Sequence, residues 1–248
     1  MVLKKRKLFE YVARDLAQRI FAGTVSPGDK LATEHQMCAE FGVSRTVIRD
    51  ALRYLSSKGL IESKPHSGTT VRGIEHWNFL DSTMISWARG MGDREGFFDM
   101  LMEARIAFES FVVEIAAMKA TPEEISRIEA SVLAMEAAAA RDPVDQNGYN
   151  TADIEFHLAI LDATHNLILR QFGAVIRAAL LASFEIALET EELSQESMNA
   201  HRKVMEAIRD RDPAEAREQM NVITRVLSEN IKRHQARHAN DEPAPAEI

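Results

Sequence analysis

The sequence is poor in several things, and each absence removes a class of protein. One cysteine, Cys38, stands among 248 residues. It can form no internal disulfide, it agrees with a reducing cytosol, and it rules out a cysteine-based metal cluster. No apolar run reaches the roughly 18 to 20 residues that a membrane span needs; even the richest stretch, Ala174 to Leu188, is broken by Arg177 and Glu185. The basic start Lys4-Lys5-Arg6-Lys7 has the charge of a signal-peptide head. The segment behind it, Leu8 to Leu16, carries Glu10, Arg14 and Asp15 where an apolar core would have to be, so export is not expected. A soluble, cytoplasmic chain follows. No internal repeat is visible.

Charge is present in quantity but unevenly placed. The whole chain carries a net −8. Residues 1–74 hold 13 Lys and Arg against 7 Asp and Glu, a net of +6, which leaves 17 against 31, or −14, for the remainder. A basic head on an acidic body suits a head that meets phosphates while the body resists unspecific adsorption.

The head reads as three helices and a hairpin. Leu8 to Ala22 places Leu8, Tyr11, Val12, Leu16, Ile20 and Phe21 at helical spacing and ends at Gly23. After the turn Val25 to Asp29, Thr33 caps a short helix to Phe41, and Gly42 stops it. Ser44 caps a third helix with Val47, Ile48, Ala51, Leu52 and Leu55 inward and Arg45, Arg49 and Arg53 outward. Two short helices across a glycine turn, the second bearing an arginine row, form a helix-turn-helix pattern. Leu60–Lys64 and Thr69–Arg72 then read as strands about Pro65-His66-Ser67-Gly68, a wing.

From Asp81 onward only long amphipathic segments occur, so the fold class is mainly α: a winged helix-turn-helix followed by an all-α bundle. The expected division is 1–74 for the head, 75–80 for a linker, 81–238 for the helical domain and 239–248 for a disordered tail. Thr121-Pro122-Glu123-Glu124 and Asp212-Pro213-Ala214-Glu215 each combine a cap, a proline at the first helical position and a glutamate three after the cap. Further breaks fall near Gly90 to Asp93, Asp142-Pro143, His165-Asn166 and Ser194, giving six or seven helices.

These residues resemble a known family. Leu31-Ala32-Thr33-Glu34, Phe41-Gly42-Val43-Ser44-Arg45-Thr46-Val47-Ile48-Arg49-Asp50-Ala51-Leu52, Leu55, Gly59-Leu60-Ile61 and Gly68-Thr69 resemble the GntR family of bacterial regulators. Arg105 to Glu109, Asp153-Ile154-Glu155-Phe156-His157, Asn166 and His201 resemble the FCD effector domain of its FadR branch. Trp77 to Asp81 and Trp87 resemble the group within that branch that answers to sugar acids such as galactonate. The chain departs from the family at Ala32, usually proline, and at His35, usually arginine, which implies weaker or pH-dependent phosphate contacts from helix two.

The resemblance implies what the head does. Arg45 and Arg49 share a helix face four residues apart. Arginine reads guanine by donating two bonds to its O6 and N7 edge, while hydroxyls and helix-start amides hold phosphates. Carried over from the family, Arg45, Thr46 and Arg49 are the core contacts, Ser44, His35 and Lys64 support them, and His66 and Gly68 reach the minor groove. The Lys4 to Lys7 run is either a basic arm on phosphates or simply a solvated charge run.

The sensing end is less direct. Asp153 and His157, at i and i+4, project from one helical face beside Phe156 and Ile160; such a pair alone is more often a hydrogen-bonded couple inside a bundle than a metal site. The resemblance implies a metal set of one aspartate and three histidines. Asp153, His157 and His201 fill three positions and Ile223 stands at the fourth. Zinc, nickel or manganese suits such donors, with places left open for water or a ligand. Arg105 sits on a helix otherwise apolar at Leu101, Ala104, Ile106, Phe108, Val112 and Val113, so it needs an anion. Glu109 at i+4 supplies one internally; a ligand carboxylate, bound bidentately, is the alternative. Effector binding therefore falls to Arg105, Asp153, His157 and His201.

The expected function is a homodimeric transcriptional repressor without enzymatic activity, bound to an inverted-repeat operator and released by a small organic or sugar acid. The subunits are expected to pair through the stretch Asp81 to Met118. Two alternatives stand beside it: a metal-dependent hydrolase using Asp153, His157 and His201, for which the sequence lacks both an H-E-x-x-H and a His-Asp dipeptide, and a constitutive architectural DNA binder, in which a buried Arg105 would serve nothing.

Overall fold

The computed structural model describes residues 2–64, 67–88, 97–187 and 195–239. The chain divides into two compact units, Met1–Arg94 and Glu95–Ile248. Of the expected tail only Ala239, the last residue of the final helix, is described; residues 240–248, His66, and the breaks near Gly90 to Asp93 and at Ser194 lie outside the described residues.

In the first unit, helix α1 (Val2–Phe21), α2 (Glu34–Phe41) and α3 (Arg45–Ser57) precede the strands β1 (Ile61–Lys64) and β2 (Gly68–Val71). A 3₁₀ turn, Ile74–His76, and α4 (Ser82–Ala88) complete it. Helix α1 begins at Val2, so the Lys4 to Lys7 run continues the helix instead of forming a separate arm. Its inward stripe is Val12, Leu16, Ile20 and Phe21; Leu8 and Tyr11, expected inside, are exposed. All five residues expected inward on α3 are buried.

Glycine sets two of the turns. Gly42 closes α2 in the left-handed conformation (φ 63°), its amide donating to the Cys38 carbonyl, as only glycine does without steric cost. Gly59 (φ +79°) lies under the returning chain, where a Cβ would come within 2.0 Å of the His76 carbonyl oxygen. The strands pair antiparallel in the register Ile61 to Val71 and Lys64 to Gly68.

The sequence starts the second domain at 81, but α4 packs on α1 of the first unit. The Trp87 ring meets Tyr54 edge to face at 5.9 Å, Lys58 forms an ion pair with Asp81, and Trp77 stands edge-on to Phe21 at 5.1 Å. Residues 77–88 are thus aromatic and charged fasteners of the head.

The second unit contains α5 (Phe97–Lys119), α6 (Pro122–Ala139), α7 (Gln146–Asp162), α8 (Leu167–Gln171), α9 (Gly173–Ala187), α10 (Gln195–Arg209) and α11 (Pro213–Ala239). Thr121 and Glu124 form the expected capping box, with Pro122 in the first turn. Helix α11 packs lengthwise on α5 and α10, and α6 on α7. Their shared apolar core includes Val113, Ile128, Met135, Phe156, Ile160, Val204 and Ile208. No helix among the described residues is long and apolar enough to cross a membrane.

Candidate functional site

The first candidate surface lies where α2, α3 and the hairpin meet. Ser44, Arg45, Thr46 and Arg49 at the start of α3, His35 on α2, and Lys64 and Gly68 at the hairpin are all exposed. A cleft of about 870 Å³ opens among them, lined by Thr33, Glu34, Arg49, Lys64, Gly68 and Thr69. The side chain of Ser44 makes no capping hydrogen bond, contrary to expectation, although its backbone has the extended conformation of a cap. Its carbonyl accepts from Val47 and Ile48 instead, which leaves the hydroxyl unspent. Arg49 is not free: its Nε donates to both oxygens of Glu34 at 3.0 Å each. Lys64 pairs with Glu62 at 3.0 Å.

The second candidate site is buried and assembled from three helices. From α5 come Arg105 and Glu109, from α7 Asp153 and His157, and from α10 His201, each at most 5% exposed. Helical spacing aligns Asp153 with His157, but α10 and α5 are brought in only by the packing of the bundle. The Arg105 Nε donates to Glu109 Oε1 at 2.6 Å, so the internal ion pair exists. The other oxygen of Glu109 lies 2.5 Å from His157 Nδ1. Asp153 Oδ1 lies 2.8 Å from His201 Nε2 and 3.7 Å from His157 Nε2. The Nδ1 of His201 is 2.7 Å from the Ser197 carbonyl oxygen.

These contacts orient the imidazoles. A histidine whose Nδ1 donates to a carbonyl or carboxylate turns its Nε2 toward whatever it ligates. Both Nε2 atoms accordingly face Asp153, and ligand atoms of Asp153, His157 and His201 lie within 4.8 Å of one another. Among the described residues neither Nε2 has a hydrogen-bond partner, although both approach Asp153. The donor set therefore fits a divalent ion. Ile223, expected from the sequence at the fourth ligand position, is buried in the apolar core.

Arg105 is more telling. Its Nε is satisfied, yet Nη1 and Nη2 are buried without a hydrogen-bond partner among the described residues. Buried guanidinium nitrogens are seldom left unpaired, because each unmet donor costs about 1 to 3 kcal/mol. The ion pair and a ligand carboxylate are thus not alternatives here: Glu109 holds one edge and leaves the fork open.

The charges reinforce one another. Burial alone would raise the Glu109 carboxyl, but Arg105 and then His157 outweigh it and hold it at about 2. Burial likewise opposes ionisation of Asp153, and His201, His157 and Arg105 overcome it to lower its pKa. Burial disfavours the His157 cation, while Glu109 and Asp153 raise its pKa on balance.

The sequence singles out Arg105, Asp153, His157 and His201, and the structure brings all four together. It misses Glu109 as the link between Arg105 and His157, which are 52 residues apart, and no local pattern announces that link. Tyr149 was also missed. It is buried one turn before Asp153, hydrogen-bonds with Ser197, and has its phenol pKa raised by burial and by the Asp153 charge. The spacing Tyr149, Asp153, His157 along one stripe was a usable signal.

Comparison with known proteins identifies the family. Residues 8–71 match the gntR family of bacterial regulatory proteins, and residues 100–225 match the FCD domain. The chain is 31% identical over 198 residues to the galactonate operon transcriptional repressor of Escherichia coli, covering 79% of this chain and 85% of that protein. It is 29% identical over 221 residues to the Uxu operon regulator of Haemophilus influenzae, covering 86% and 78%. Among solved structures, that of Lar, which controls the expression of the Listeria monocytogenes agr system, superposes with a TM-score of 0.62 at 18% identity, over 92% of this chain and 96% of that one; at such identity the likeness establishes the fold. Relatives of this kind are transcription regulators, not enzymes, which sets the hydrolase reading aside. A winged head matched over residues 8–71 and a helical unit matched over residues 100–225 make this chain a DNA-binding transcription regulator that belongs to the GntR family, with an FCD domain as its second part.

Proposed function

We propose that the chain is a homodimeric repressor that leaves its operator when a small organic or sugar acid enters the buried site of the second unit. The observation that carries this reading is that, among the described residues, the buried Arg105 nitrogens Nη1 and Nη2 and the Nε2 atoms of His157 and His201 have no hydrogen-bond partner. A carboxylate meets a guanidinium fork with two parallel bonds. Adjacent hydroxyls or a second carboxylate oxygen then reach the imidazoles or an ion held by them. Asp153, His157 and His201 would hold such an ion, and zinc, nickel or manganese matches one oxygen and two nitrogen donors; bound there, it supplies Lewis-acid coordination for the acid's oxygens. The galactonate repressor among the relatives makes sugar acids the first compounds to try.

At the operator, Arg45, Thr46 and Arg49 contact the core bases and phosphates, Ser44, His35 and Lys64 support them, and His66 and Gly68 at the wing reach the minor groove. Two heads reading related half-sites supply the specificity that one helix-turn-helix does not. Self-association is supported by α5, whose exposed side carries Met100, Phe111 and Met118 at helical spacing, with Ala104 and Ala107 between them.

A thermal-shift series with galactonate, other sugar acids and small carboxylates, each with and without chelator, tests the reading. One acid should raise the melting temperature of the wild type. Arg105→Lys, which keeps a charge for Glu109 but lacks the fork, should bind operator and ignore that acid. If no carboxylate stabilises the wild type, or if the acid releases Arg105→Lys from DNA at wild-type concentration, the site assignment fails.

A further inference from the structure

We propose that Glu34 sets sequence specificity by gripping the Arg49 guanidinium through Nε, so that its two terminal nitrogens stay free as a paired donor to a guanine edge. This rests on the reading of Arg49 as a base contact. A carboxylate on a face that meets phosphates is unfavourable for DNA binding in general, since it repels the backbone charge on which affinity depends. Its presence there calls for a compensating role, and the geometry supplies one.

Both Glu34 oxygens accept from the same nitrogen at 3.0 Å, and among the described residues Nη1 and Nη2 of Arg49 have no hydrogen-bond partner. Arginine carries about 2 kcal/mol of rotamer entropy; a side chain already held at Nε surrenders less of it when it docks. Glu34 is itself fixed. It is the first residue of α2, directly after Thr33, whose hydroxyl accepts from the Gln36 amide at 3.3 Å while the Thr33 amide donates to Gln36 Oε1 at 2.8 Å. The chain leading into this cap is tied to the hairpin, the Leu31 amide donating to the Thr69 carbonyl at 2.9 Å. On the other side, α3 is held by the buried Val47, Ile48, Ala51 and Leu52. Cap, hairpin and recognition helix thus form one frame around the Glu34 to Arg49 contact. Neither neighbouring arginine of the row is gripped in this way: Arg53 reaches Asp50 only at 3.9 Å, and Arg45 has no ion pair among the described residues.

The charge and the positioning predict opposite signs, which makes the test sharp. The probe is the duplex that the full-length wild-type protein enriches from a randomised pool, measured beside a scrambled duplex of equal length and salt. Glu34→Gln should bind the enriched duplex about tenfold more weakly, the worth of a bidentate base contact, while holding or tightening on the scrambled one. Glu34→Asp keeps the charge but shortens the reach, and should lose the same discrimination. Repeating the selection with Glu34→Gln should relax the same base pair that Arg49→Ala relaxes. If Glu34→Gln tightens on both duplexes in parallel, or relaxes a different base pair, the inference is overturned while the reading of Arg49 stands. If Arg49→Ala keeps full discrimination, or the wild type enriches no sequence, both fall together.

Discussion

The two ends of the molecule treat charge in opposite ways. In the head, Arg45, Arg49 and Lys64 stand in solvent on elements whose apolar faces are buried independently of them. In the second unit, Arg105, Glu109, Asp153, His157 and His201 are buried against one another and against Phe156. Recognition chemistry on the outside is removable without touching the fold. The chemistry on the inside is part of the fold, and the Glu109 and Asp153 carboxylates are held ionised by their neighbours against the cost of burial.

The sharpest way to break this contrast is to remove one buried partner. Glu109→Ala leaves Arg105 and His157 without their anion and should cost about 3 to 5 kcal/mol in chemical denaturation, the usual penalty for an orphaned buried charge. A loss below about 1 kcal/mol would mean that the pair is not sealed from water. Next comes the metal. An ion present at a hundred times its dissociation constant stabilises by about 2.7 kcal/mol, so chelator should lower the melting temperature of the wild type and leave His157→Ala unmoved. Ile223→His gives this a second edge. It puts a polar ring where the core is apolar, so it should destabilise without metal and recover when metal is added; failure to recover would show that position 223 does not reach the site. In the head, Arg45→Ala or Arg49→Ala should cost about 1 to 3 kcal/mol of specific binding in gel shifts with no change in melting temperature. Wild-type affinity in both variants would remove the recognition helix from its role.

The smallest effect separates the units by pH. The Asp81 pKa is lowered: burial opposes this, but Lys58 and the amides of Met84 and Thr83 prevail. A carboxylate whose folded pKa lies below its unfolded value contributes stability above the unfolded pKa and loses it as pH falls through the folded one. Asp81→Asn should therefore be less stable than the wild type at neutral pH by under about 1 kcal/mol, and the difference should vanish below the ordinary aspartate range. A difference that persists at low pH would assign the effect to the Asp81 hydrogen bonds to Thr83 and Met84 and not to the ion pair.

What was legible in the sequence follows the same division. The α3 stripe, the Gly42 stop and the Thr121 cap are local, and each depends on residues within a turn or two, so pattern and structure agree. Ser44 shows the limit of that reasoning: residue type indicates a capping side chain, while the backbone extends and the hydroxyl goes unused. Tyr11 looks inward by spacing, yet it stands exposed and edge-on to Phe41. In the buried site the four residues of the right chemistry were visible, but not that Glu109 would bridge Arg105 to His157, because that depends on how α5 and α7 pack. The grouping of Ser82–Ala88 with the first unit is equally hard to read from local pattern. An amphipathic helix records that it has an apolar face, not which core receives it.

The aromatic fasteners of the head have an optical consequence. Both tryptophans of the chain, Trp77 and Trp87, lie in the first unit, one against Phe21 and the other against Tyr54. The proposed acid site in the second unit contains none, so indole emission reports on the head and its packing. If an acid titrated into the protein alone shifts tryptophan fluorescence, the change has reached the first unit, read with no label and no DNA in the cuvette.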